Sequence, residues 1–246
     1  MYLRTNEEAI KIIYKCAIEY KNNLSNKCVL FVTVTDSKAT SFEALFLPQN
    51  FKHLTGAASH LSGADFFDLA VRNRLSPNDI TLANDGTTDL KLDVLPQLMN
   101  IHRTARMVGD YDFSRSLLVA DKVAGTVTAA LGFVQSKNLY LPKTALKADV
   151  RDITIQSTRR KIAAVFVKRR GDELFSHLTY IAKGMTMRDE ILASILREKV
   201  DTQNLVDITT PHKPLLQARS TETKDKTAEH GTNKQESQRS DDDPEK

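Results

Sequence analysis

Apolar residues at Ile10, Ile13, Tyr14, Ala17, Tyr20 and Leu24 recur at spacings of three and four, which predicts an amphipathic helix over Thr5 to Leu24. Thr5 and Glu8 stand where a capping box would close its first turn. The period then changes. CVLFVTVT (28–35) is rich in β-branched and aromatic residues and apolar on both faces, as expected of a strand inside a sheet. A turn at DSKAT leads to Ser41–Leu47 as its hairpin partner, and Pro48 ends that strand. The stretch NFKHLTGAASHLSG (50–63) is then expected to carry His53 at a strand-to-loop transition, with Phe51 and Leu54 in the core and Lys52, His53 and Thr55 near the surface.

Ser62 and Asp65 predict a helix start, with Phe66, Leu69 and Ala70 turned inward and Ser76-Pro77 as the stop after Leu75. NDGTTDLKLDV reads as a turn and a short strand. A second helix is expected from near Pro96 to Val108, with Gly109 as terminator and Leu95, Leu98, Met99, His102 and Ala105 or Arg106 inside. Weaker helical signal covers Asp112–Val123. From Gly125 strands dominate: TVTAALGFVQ and LYLP form a hairpin across SKN. KTALKADVRDI would place Lys147 and Arg151 on one face of a short helical turn. KIAAVFVKRR and LFSHLTYIAKG pair across Gly171-Asp172, and in the second of them Phe175, His177, Thr179, Ile181 and Lys183 share one face by alternation. A helix over Arg188–Val200 closes the domain on Ile191, Leu192, Ile195 and Leu196. The pattern predicts an α+β fold, with an N-terminal helix and an antiparallel sheet in one domain over 1–209, a helical insertion at about 64–123, and a charged tail over 210–246. That tail has few apolar residues and is expected to be disordered.

A 41% hydrophobic content suffices for a packed core. No apolar run reaches the roughly 18 to 20 residues of a membrane span, and the early charges of MYLRTNEEAIK do not suit a signal peptide, so a cytoplasmic protein is expected. Cys16 and Cys28 lie apart from any Cys/His cluster and read as reduced, buried thiols. His53 and His60 lack an acidic or thiol partner at metal-ligand spacing, so no metal site is expected. Nor does the chain carry a Walker A loop, a GxGxxG turn, HExxH or GxSxG. The net charge of +4 is unevenly spread: Lys143 to Arg170 holds nine basic residues against two acidic ones. That segment suits either a solvated surface or a phosphate-tracking face for nucleic acid.

Histidine, lysine, arginine and hydroxyl side chains at strand ends can cleave RNA without a metal. One group takes the 2′-hydroxyl proton, another protonates the 5′-oxygen, and cations offset the charge on the phosphoryl oxygens. On this reading His53 is the general base or acid, Thr179 or Lys183 steadies the reacting group, and Lys52, Thr55, Arg151, Arg159, Arg160, Lys161 and His177 hold substrate. The alternative is a non-catalytic module that binds nucleic acid or protein on the same scaffold.

FKHLTG, DGTTDLKLDVLPQLM, ALGFV, YLPKTALKADVRDIT and YIAKG, in that order, resemble a phage-associated family of the barnase, EndoU, colicin and RelE-like nuclease fold over about residues 7–200. The resemblance implies a helix packed on an antiparallel sheet, and an RNA-cleaving toxin or effector of phages and mobile elements that uses no cofactor. It implies RNA and a cognate inhibitor protein as partners, and functional roles for His53 in FKHLTG, Lys147 in TALKADVR and Lys183 in YIAKG.

Overall fold

The computed structural model describes residues 3–35, 38–114 and 120–209; the expected tail and the middle of the weak helix over 112–123 lie outside them. Thr5 caps the first helix, α1 (Asn6–Asn23), as its sequence predicts. The Thr5 hydroxyl accepts from the Glu8 N–H at 3.3 Å and the Glu8 carboxylate accepts from the Thr5 N–H at 2.9 Å. Such a cap contributes about 1 kcal/mol. Ala9, Ile13, Cys16, Ala17 and Tyr20 form the buried face.

The chain continues through β1 (Lys27–Val34), β2 (Ala39–Phe46), α2 (Asn50–Thr55), α3 (Gly63–Val71), α4 (Thr87–Leu98), α5 (Ile101–Thr104), β3 (Met107–Asp110) and β4 (Lys122–Gly125). It then forms β5 (Ala130–Ser136), β6 (Leu139–Leu146), α6 (Val150–Ile153), β7 (Arg160–Arg169), β8 (His177–Ile181), α7 (Ala193–Lys199) and β9 (Val206–Asp207). Short 3-10 turns stand at Pro77–Asp79, Gln156–Thr158 and Glu190–Leu192.

The strands run in the order β1-β2-β6-β5-β4-β3-β7-β8-β9, and β1 also pairs with β7. That second pairing closes seven strands into a barrel, a closure that the expected antiparallel sheet did not include, although most pairings are antiparallel as expected. Two contacts are also parallel, β2 with β6 through Ala44 and Tyr140, and β8 with β9. Closure follows from β1, which spends both edges on partners: Lys27 lies opposite Phe46 on one side and Arg169 on the other. Its two faces are apolar because both are covered. Val29 and Phe31 join the interior core, whereas Cys28, Leu30 and Val32 join a second cluster with Phe166, Phe175, Leu192 and Leu196. Cys16 and Cys28 are buried free thiols, as expected, and burial pushes the Cys16 thiol up to about 12.

Three readings of the middle of the chain are corrected. In NDGTTDLKLDV the expected turn forms over residues 84–86, but the expected strand is the start of α4, because Leu92, Leu95 and Leu98 bury at helical spacing while the alternating Leu90 stays exposed. Pro96 therefore falls in the last turn of α4 rather than at the head of a helix. The inner-face residues Leu95, Leu98, Met99, His102 and Ala105 are nevertheless all buried. Gly109, expected to terminate a helix, sits in β3 where an added Cβ would meet Thr154 Cβ at 2.8 Å. The supposed helical insertion therefore ends before β3 and β4, which are barrel strands. Finally, β6 continues to Leu146 and α6 begins at Val150, so Lys147 and Arg151 do not share a helix face.

Candidate active site

NFKHLT forms a short helix, not the expected loop. Asn50 turns the chain out of β2 by accepting from the Leu47 N–H at 2.9 Å, and Phe51 and Leu54 bury one helix turn apart. The Phe51 ring stands 5.2 Å from Tyr20 and 5.4 Å from Phe67, so α2 is pinned to α1 and α3. Gly56 ends α2 at φ +72, and an added Cβ would stand 2.6 Å from Lys91 Cδ. Glycine is favoured there by its left-handed backbone angle, and its missing side chain leaves room for the lysine that crosses it.

His53 is held on the outer face of α2, exposed. Its pKa is lowered, first by partial burial and then by Lys143, Lys52 and Lys91. Lys143 comes from β6 and Lys91 from α4, so three elements deliver the cluster. Lys91 is half-buried, and burial lowers its own pKa. Lys52 is anchored, donating to the carbonyls of Ser59 at 2.8 Å and Leu61 at 2.6 Å. An imidazole kept neutral at neutral pH beside cations can accept a proton where a phosphate is held.

Lys147 lies on the same pair of elements, just past β6. Its ammonium pairs with Asp93 of α4 at 2.7 Å, and Asp93 also pairs with Arg4. Those partners hold the Asp93 carboxyl below the usual range, Lys147 foremost. Thr55, expected near the surface, is fully buried, because its hydroxyl closes the helix end by donating to the Lys52 carbonyl at 2.8 Å.

The other expected substrate residues stand elsewhere. Strand register puts Arg159, Arg160 and Lys161 at the barrel end opposite to that where β2 delivers α2, since Thr33 pairs with Ile162 and Lys27 with Arg169. Arg151 is bound to Asp149, and Arg159 donates to the Thr154 carbonyl at 2.7 Å. Arg160 donates to the Ser157 and Arg159 carbonyls at 2.8 and 2.7 Å, while Lys161 is exposed. The common face expected along the last strand is broken by a bulge. Phe166 pairs with Leu178 and Val165 with Tyr180, leaving Thr179 as the extra residue. Thr179 is 2% exposed, and its hydroxyl lies 2.7 Å from the His102 carbonyl and 3.1 Å from that of Val165. Lys183 is exposed in the turn beyond the far end of β8.

His177 and Thr179 line a separate pocket with His102 and Arg103, and the cations there share no residue with those around His53. Sequence reading missed Lys91, whose position became legible only once its segment is helical. It also set His102 aside as a core residue. That ring is 4% exposed, and burial lowers its pKa to about 3, with Arg103 and Lys27 adding to the effect. The unfolded chain binds this proton below its ordinary value of 6.5 and the folded chain does not until about 3, so stability falls as pH drops through that window. Between pH 6.5 and 5 the loss should be about 2 kcal/mol. Urea unfolding across that range should show a steeper pH dependence in the native chain than in His102→Gln, and equal slopes would refute it.

Among the described residues no group of three His, Cys, Asp or Glu side chains is placed to hold a metal ion, and no helix is long and apolar enough to cross a membrane. Residues 12–184 match the model of the family described as phage-Barnase-EndoU-ColicinE5/D-RelE like nuclease 4. No curated protein and no solved structure matches the chain.

Proposed function

Because the chain belongs to the phage-Barnase-EndoU-ColicinE5/D-RelE like nuclease 4 family, we propose that it is a metal-independent endoribonuclease of a phage or mobile-element toxin, cleaving RNA by attack of the 2′-hydroxyl on the adjacent phosphate. The observation that carries this reading is His53, exposed on a pinned helix among Lys52, Lys91 and Lys143, with its pKa lowered. His53 takes the 2′-hydroxyl proton. Lys143 and Lys91 offset the charge that builds on the phosphoryl oxygens, and the leaving 5′-oxygen takes a proton from solvent at this open surface.

Lys147 flanks the cluster and steers the RNA backbone, its charge partly offset by Asp93. The exposed Lys161 and Lys183 serve as outlying phosphate contacts for a longer strand. Thr55 and Thr179, whose hydroxyls are spent on carbonyls, position backbone rather than substrate. A toxin of this kind requires a cognate inhibitor in the cell that makes it.

The purified chain should cleave single-stranded RNA in EDTA and leave 2′,3′-cyclic phosphate ends. Cleavage that stops in EDTA and returns with a divalent cation would overturn the mechanism. RNA binding that weakens with salt but leads to no cleavage would instead make the protein a binding module.

A further inference from the structure

A pocket of about 280 Å³ opens where α1 and β7 end and β1 and β8 begin, with Asn23, Lys27, His102, Arg103, Arg169 and His177 among its walls. No Asp or Glu lines it among the described residues. Lys27 is half-buried there, and its pKa is lowered first by burial and then by Arg169 and Arg103, so the cations gather with too little counter-charge to offset one another. Lys168 also borders the space but turns its ammonium to the Glu173 carbonyl and the Phe175 ring.

The His102 ring is part of the same wall. The Arg103 guanidinium can only donate, and its Nε lies 3.3 Å from His102 Nε2, so that ring nitrogen is the acceptor. The neutral ring then carries its proton on Nδ1. This N–H is buried and has no partner among the described residues, an uncommon state for a buried donor. The wall is otherwise rigidly set: the Thr179 hydroxyl holds the His102 carbonyl at 2.7 Å, and Ser176 Oγ lies 2.9 Å from His177 Nδ1. Among the described residues Lys27 gives one donor to the Asn22 carbonyl at 2.6 Å and keeps the others.

We propose that this pocket is a phosphate-binding site distinct from the His53 surface. Its cations supply charge-assisted donors to the phosphate oxygens, and the His102 ring in the same wall reports the ligand's arrival. At about 30 Å³ per water the space holds about nine waters, more than a bare phosphate fills. The phosphate therefore arrives either free or on a nucleoside monophosphate. The inference does not rest on the His53 mechanism.

The test titrates the full chain at constant ionic strength with inorganic phosphate and, separately, with adenosine monophosphate. Thermal midpoints and the imidazole resonances of His102 are followed together. Saturable movement of both is expected, since a ligand that binds only the folded chain raises its midpoint by mass action. Comparable affinity for the two probes identifies the phosphate group alone as the ligand; tighter binding of the monophosphate ester identifies the nucleotide. Arg103→Gln and Lys27→Gln should each weaken binding by about tenfold or more, whereas Lys11→Gln, which removes an exposed charge on α1, should not. Either pocket variant suffices if the other fails to fold. Titrations that leave His102 unmoved, or that are unchanged in both pocket variants, would overturn the site.

Discussion

Replacing His53 by alanine should lower RNA cleavage by about 10² to 10⁴, the usual contribution of a positioned proton-transfer group. His53 projects from the outer face of α2 while Phe51 and Leu54 do the packing, so the variant should fold with a stability within about 0.5 kcal/mol of the native chain. A loss of rate then reports chemistry rather than unfolding. The pH profile makes the assignment stricter. Lys143 is the strongest charged neighbour lowering the His53 pKa, after burial. Lys143→Ala should therefore raise that pKa and move the acid limb of the rate profile to higher pH. Single-turnover cleavage across pH 5 to 8 reads both effects, and undiminished cleavage by His53→Ala would remove this residue from the mechanism.

Phe133→Ala should destabilise the fold by about 3 to 5 kcal/mol. Phe133 is fully buried in the barrel interior, with ring centroids 6.2 Å from Phe31, 5.7 Å from Phe42 and 6.1 Å from Phe46. These rings brace the place where the barrel has least backbone pairing, the β2–β6 contact, which holds a single ladder pair at Ala44 and Tyr140. Phe42 spans that seam, 5.3 Å from the Tyr140 ring. Loss of the Phe133 ring leaves a cavity beside the seam that backbone hydrogen bonds cannot bridge. Urea unfolding measures the cost, and hydrogen exchange should show β5 and β6 opening more readily than β1 and β7. A cost below about 1 kcal/mol would mean that the seam does not depend on this aromatic layer.

Much of the local structure was written in neighbouring residues. The Thr5 cap, the buried stripe of α1, the β1–β2 hairpin and the pairing of β7 with β8 all follow from periodicity and turn chemistry over short spans. The same local reading failed at LKLDV, where alternation and helical spacing compete, because burial of Leu92, Leu95 and Leu98 against the rest of the core decides between them. It failed again at Thr179, where one inserted residue reverses the alternation along β8.

His53 illustrates the division. The sequence by itself determined a titratable residue between two apolar anchors, Phe51 and Leu54, and a basic segment far along the chain. Only the tertiary structure decided which of those cations reach it: Lys143 arrives because β6 packs on α2, and Lys91 because α4 is a helix crossing Gly56. The pairing of β1 with β7, which closes the barrel, was likewise decided by the whole core. Periodicity fixes which face of an element is apolar, but the partner that covers that face is chosen by the packing of all of them together.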